Sequence, residues 1–211
     1  MEENPELRGD EFDFMSVFTI LDHIKVIDGY QLAYVYQYDG MGGYPTVYAY
    51  PEGTQPYVSF DEYIADKPEC FDSTVYVSGC DILTYLETDG SPLGFLQLVL
   101  FDTKKGRFNL YWHSAYCDRH FIATPSGLDA IILNISDPLL PLSGSQKRAA
   151  QRIDPTPEVL IGDEMVDIRV TWFTKWGGFN ETHYALSREY PHLILSTESQ
   201  NLVEYDCGIM F

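Results

Sequence analysis

The chain has 211 residues, room for one domain or two small ones with a substantial core, and it carries 32 Asp and Glu against 13 Lys and Arg, a formal charge of -19. Its 45 % apolar and 15 % aromatic content excludes disorder, which requires low hydrophobicity alongside high net charge. Such acidity argues against binding of nucleic-acid phosphates, and the nearest thing to an apolar span, residues 94–101 interrupted by Gln97, is too short to cross a membrane.

Residues 1–14 hold six acids (Glu2, Glu3, Glu6, Asp10, Glu11, Asp13) against Arg8, without apolar periodicity or a basic start followed by an apolar run, so no secretory signal is read there. The first ten residues are expected to form a flexible acidic N-terminus. Phe14, Val17, Phe18 and Leu21 then recur at the spacing of one helical face, which predicts a helix over 14–22 capped by Asp10 or Asp13.

Runs 23–27 and 30–38 are strand-like and flank Asp28-Gly29, a pairing that predicts a tight hairpin. Alternation in the second run puts Leu32, Tyr34, Tyr36 and Tyr38 on one face. A strand over 47–50 follows, and its Tyr48 and Tyr50 are candidates to extend that face into a flat aromatic surface for a ligand or partner. Ordinary cross-strand packing is the plainer explanation of such a row. Gly40-Met41-Gly42-Gly43 lacks the Gly-Lys-Ser/Thr ending of a phosphate loop and reads as a turn.

Ser59 followed by Glu62 is a capping box, predicting a helix over 59–65 with an acidic first turn. From Asp61 to Asp89 there are eight acids (Asp61, Glu62, Asp66, Glu69, Asp72, Asp81, Glu87, Asp89) against Lys67, a local charge of -7. A run of this kind is either a solvated face or an electrostatic surface for a basic partner. Residues 95–101 and 107–113 read as a second hairpin around Gly106, and 126–135 as a helix. Pro138, Pro141, Pro155 and Pro157 mark a Pro/Ser/Gly-rich connection over 137–157. The remainder reads as a meander over 165–176, 179–186, 192–196 and 202–207, whose strands are expected to join the sheet of the first half. The expected architecture is therefore a single α+β domain over 11–211, predominantly antiparallel sheet built from hairpins with a few short helices packed on it.

Cys70, Cys80, Cys117 and Cys207 form no Cys-x-x-Cys pair and are too few for a disulfide framework, so reduced thiols and a cytoplasmic location are expected. Cys207 reads as a small apolar filler. The densest polar cluster, from Trp112 to His120, leaves a predicted strand. As a metal site, His113, Cys117 and His120 want a fourth ligand and the paired spacing of known zinc modules, so neither metal nor cofactor is expected. As a nucleophile, Cys117 would need His113 or His120 as base with Asp118 orienting the ring. Ordinary strand-end residues account for the same pattern. The common hydrolase and dinucleotide signatures do not occur. These observations favour a non-enzymatic acidic protein that engages a basic protein partner, in its most concrete form a bacterial toxin-neutralising, immunity-type protein. Binding candidates are Tyr34, Tyr36, Tyr38, Asp61, Glu62, Asp66 and Trp112. The alternatives are an enzyme or small-ligand protein using His113, Cys117, Asp118 and His120, and an oligomeric structural protein.

Overall fold

A computed structural model describes residues 13–38, 43–72, 77–78, 80, 82–106, 119–135 and 141–208. It is 31 % helix and 36 % strand, with antiparallel sheets and several short helices, an α+β protein. None of its described helices is long and apolar enough to cross a membrane. The chain divides into two compact units, residues 1–113 with 189–193, and residues 114–188 with 194–211.

In the first unit, strands β2 (Tyr30–Tyr38) and β3 (Gly43–Pro51) form a nine-pair ladder running from Tyr30 opposite Pro51 to Tyr38 opposite Gly43. Directly opposed residues share a face of an antiparallel pair. Tyr34 lies opposite Val47 and Ala33 opposite Tyr48, so Tyr48 and Tyr50 point away from the Tyr34 face, and the flat aromatic surface weighed against ordinary cross-strand packing does not extend across both strands. On one side Tyr34 meets Phe14, which also packs edge-on against Phe101. On the other, Val35 and Tyr48 pack with Phe60, Tyr63 and Cys70.

The predicted helix over 14–22 is a 3₁₀ helix, Phe14–Thr19, capped by the Asp13 side chain, which accepts from Met15 N. The helix predicted over 59–65 is α1 (Phe60–Asp66), capped by Ser59, which accepts from Glu62 N; the Glu62 carboxylate accepts one residue earlier than a capping box requires, from Val58 N.

Three expectations fail here. The Asp28-Gly29 turn forms, with Gly29 at φ +83° and Tyr30 N bonded to Ile27 O, yet β1 (Ile24–Val26) does not pair with β2. It pairs with β6 (Leu86–Thr88), where Lys25 and Glu87 stand opposite each other in a 3.1 Å ion pair, while β2 gains its longer ladder from β3. Residues 95–101 are helix, not strand. They belong to α2 (Pro92–Lys104), started by the Ser91 cap with Pro92 in the first turn; the arm over 107–113 lies outside the described residues. Cys70 and Cys80 are joined in a disulfide beside the short pair β4 (Phe71–Asp72) and β5 (Val77–Ser78), so these two thiols are not reduced; Cys207 is free and buried, as a filler should be.

The second unit is one antiparallel sheet ordered β11-β10-β9-β7, with β8 also on β9. Its strands are β7 (His120–Ile122), β8 (Glu158–Ile161), β9 (Met165–Thr174), β10 (Gly178–Ser187) and β11 (Ile194–Val203). Among the described residues these strands pair only with one another, not with β1–β6 as the sequence suggested, because the unit builds its own core. Phe173, Phe179 and Val203 line one face under α3 (Pro125–Asn134), which contributes Leu128 and Ile132, and α4 (Gly144–Ala150), which contributes Ala150. The helix α3 is the one predicted over 126–135, capped by Thr124. The helix α4 replaces part of the expected irregular connection over 137–157 and carries a complete capping box between Ser143 and Gln146.

Candidate functional site

The acid run of the first unit is mounted on tyrosines. Tyr48 projects from β3 into the rings of Tyr57 and Tyr63, each with its centroid 5.1 Å away, the second stacked at 27°. Its Oη accepts from Tyr57 N at 2.8 Å. Tyr57 in turn donates its hydroxyl to the Asp66 carboxylate, and Val58 N donates to Glu62 at 2.8 Å. The segment 57–58 is thereby fastened at both ends of α1, whose Phe60 and Tyr63 are buried beneath it. The acids between 51 and 69, Glu52, Asp61, Glu62, Asp66 and Glu69, are all exposed, with Lys67 as their sole basic neighbour in that stretch and 3.6 Å from Asp66.

The electrostatics keep these groups in distinct charge states. Burial pushes Tyr63 up to about 12 and Tyr48 further still. Tyr57 rises to about 12, through desolvation first and then its hydrogen bond to Asp66. That same bond holds Asp66 below the ordinary carboxylate range. At neutral pH the phenols are therefore neutral donors and the carboxylate is an anion, which is the arrangement a charge-assisted hydrogen bond requires. Behind them lies a cavity of about 130 Å³ touching Tyr85, Lys67, Glu69 and the disulfide, a volume that suits a few waters and falls short of a typical small-molecule pocket. The ligand atoms of Glu69, Cys70 and Cys80 lie within 4.8 Å of one another, but the disulfide engages both sulfurs and removes the thiolates a metal would need.

Other predicted site residues are dispersed. Tyr34 is 5 % exposed within the core and Tyr36, its edge-on neighbour at 6.5 Å, is half-buried; the Tyr38 side chain lies outside the described residues. Trp112, His113, Cys117 and Asp118 also lie outside them. His120 is exposed on β7, its ring stacked on Phe173 at 6.3 Å, and the adjacent Arg119 guanidinium sits 4.5 Å from the Trp172 ring.

Two constellations come together only in three dimensions. His23 Nδ1 is 2.7 Å from Asp89 Oδ2 and 3.4 Å from Ser91 Oγ. A Ser-His-Asp hydrolase needs serine and carboxylate on opposite ring nitrogens. Here Asp89 and Ser91 both address Nδ1, Asp22 Oδ1 is 3.7 Å from Nε2 and beyond hydrogen-bond distance, and Ser91 is engaged as the α2 cap, accepting from Gly94 N, so the cluster serves as a helix-start clasp. Hydrogen bonds from Ser91, then His23, pull Asp89 down to about 2. On the second unit's sheet, Glu181 receives Arg169 at 3.2 Å, His183 at 3.0 Å and Gln200 at 2.7 Å; against the opposing effect of burial, these donors hold it below the usual range. Arg169 also donates to the carbonyls of Asp154 and Thr156, which pins the chain entering β8 to the sheet. Residues 169, 181, 183 and 200 come from three strands, and no local pattern in the sequence announces them.

No protein-family model, curated protein or solved structure matches this chain.

Proposed function

We propose that this chain is a non-enzymatic binding protein that presents the acidic surface of α1 to a basic protein partner, with toxin neutralisation of the immunity type as the most concrete form. The observation that carries the reading is the fastening of Asp66 and Glu62 to the Tyr57–Val58 segment, which in turn hangs on Tyr48. Carboxylates fixed before binding lose little side-chain entropy when a cation arrives, which raises affinity without added contact area. Tyr57 and the exposed Val58 supply apolar surface among the charges, the mixture that interface centres use. A net charge of -19 adds long-range steering toward a basic target and speeds encounter at low salt.

The test separates this surface from bulk acidity. Immobilised chain is exposed to lysate of its native source and eluted with a salt gradient, using wild type, Asp61→Lys/Glu69→Lys, and Asp163→Lys/Glu164→Lys. Both variants change the charge by +4, from -19 to -15, and all four positions are exposed. The expected outcome is a basic protein held by wild type and by the Asp163/Glu164 variant, and released early or lost by the Asp61/Glu69 variant, whose changes lie on α1 and in the turn that follows it. Equal weakening in both variants, or no protein retained by wild type, would overturn the proposal.

A further inference from the structure

The second unit contains a hollow that differs in kind from the surface of α1. It has a volume of about 400 Å³ and lies where the β9–β10 turn, the start of α4 and the chain leaving β11 meet, lined by Trp176, Tyr205, Gln146, Asn201, Glu204 and Asp206. Its frame is rigid. Gly178 has φ +75°, and a Cβ there would collide with the Val203 carbonyl oxygen and come within 2.6 Å of Tyr205 N, so the turn sits directly on the chain leaving β11. Cys207 N bonds to Lys175 O at 2.8 Å, closing the same seam from the other end. Tyr205 is 7 % exposed and Trp176 is half-buried, packed against the margin of the core.

The polar groups around this hollow have an uneven balance of donors and acceptors. Asn201 spends its amide N–H groups on Gly177 O and Asn180 Oδ1. Gln146 donates to Glu204 O and accepts from Ser143 N, so its amide serves the frame as well. None of the lining residues is basic. The Glu204 carboxylate is exposed and makes no ion pair among the described residues, while Asp206 accepts from the Gly208 N–H. Two carboxylates beside an indole and a phenol, with the amide donors largely committed elsewhere, offer a ligand acceptors, negative charge and aromatic surface. An anion would be repelled by the two carboxylates, which favour a cationic ligand.

We infer that this hollow binds an organic cation, a guanidinium or alkylammonium head group, with its charge between Glu204 and Asp206 and its apolar stem against Trp176. Ring faces attract such cations electrostatically, and a carboxylate adds a charge-assisted hydrogen bond. A volume of about 400 Å³ accommodates the head and stem of one such group. The site is independent of α1 and holds whether or not that surface binds a protein.

The full chain, labelled with ¹⁵N, is titrated with Nα-acetyl-arginine amide at constant ionic strength, following the Trp176 indole signal (identified by its loss in Trp176→Phe) and the Asn201 side-chain amide. The expected result is a saturable shift of both, with a dissociation constant weakened about tenfold, equivalent to about 1.4 kcal/mol, in Glu204→Gln/Asp206→Asn. Both substitutions preserve shape, and the amide oxygen introduced at position 206 still accepts from Gly208 N, so an unchanged thermal midpoint is expected in the variant. A methyl glucoside should produce no saturable shift. Tighter binding of a short peptide carrying one arginine among glycines identifies a protein side chain as the source of the cation, and equal binding identifies a free small molecule; either outcome upholds the site. Absence of saturation, an unchanged constant in the double variant, or stronger binding of the glucoside would overturn it.

Discussion

Replacing Tyr48 by Phe isolates the bond on which the α1 surface hangs. The ring stays, so its contacts with Tyr57 and Tyr63 at 5.1 Å and with Tyr50 at 6.1 Å are kept and no cavity opens. What disappears is the hydroxyl that accepts from Tyr57 N at 2.8 Å and donates to Tyr57 O at 3.5 Å, on a residue that is 4 % exposed. A buried donor deprived of its acceptor costs about 1–3 kcal/mol. Because Tyr57 is itself half-buried rather than fully buried, the lower part of that range applies, about 1–2 kcal/mol. For a chain of this length that is a fall of about 2–8 °C in midpoint temperature. The matched control is Tyr50→Phe, which removes a 2.8 Å bond to Gln31 Oε1 between two half-buried side chains where water substitutes readily, and should cost less than about 1 kcal/mol. Urea unfolding followed by circular dichroism gives both values, provided the slope with denaturant is unchanged. If Tyr48→Phe costs no more than Tyr50→Phe, the hydroxyl is not holding the segment and the preorganised surface loses its physical basis.

Alkaline stability should reflect the buried phenols: with Tyr63 raised to about 12 in the fold and near 10 when unfolded, stability is full below pH 10 and falls as pH climbs toward 12, by about 1.4 kcal/mol per pH unit for this residue. Tyr63→Phe should flatten that slope in pH-dependent urea titrations, and an equally steep slope in the variant would discount Tyr63 as its source. Gly178→Ala should destabilise the second unit by more than about 2 kcal/mol, since it combines φ +75° with a collision against the chain leaving β11, whereas Gly53→Ala, at φ +78° with open space around it, should cost about 1 kcal/mol; comparable values in thermal unfolding would show that the seam yields. Reduction of the Cys70–Cys80 disulfide, ten residues apart in sequence, should raise the thiol titre of the denatured chain by two and cost about 3 kcal/mol by chain entropy; no rise in titre would mean the pair is not joined in solution.

The elements legible in the sequence are those whose signals are local. Ser59 announces α1 because a cap acts within three residues of itself, and Thr124 caps α3 in the same way. The helix α2 had such a signal in Ser91-Pro92, but its body buries Phe95, Gln97, Leu98, Val99 and Phe101, and apolar residues on so many sides erase the helical period. The strand β11 was divided in two for the opposite reason: residues 195–201 are all exposed, so no alternation marks the middle of the strand. At Asp28-Gly29 the turn is local and forms, while the partner of β1 is chosen some sixty residues away by pairing energies the turn does not contain.

The acidic surface was half legible for the same reason. Asp61, Glu62 and Asp66 stand out as a run of charge, yet charge alone does not distinguish a solvated face from an interface. What fixes Asp66 in place, through Tyr57, is the register of β2 against β3. Because Tyr34 faces Val47, Tyr48 is sent to the opposite side of the ladder, where Phe60 and Tyr63 of α1 bury it and Tyr57 binds its hydroxyl. A slip of one residue would return Tyr48 to the Tyr34 face and leave Tyr57 N, and through it Asp66, without an anchor. The parity of a nine-pair ladder thus decides whether the carboxylates of α1 are loose surface groups or fixed ones, and only fixed ones can meet a cation without first surrendering their own freedom.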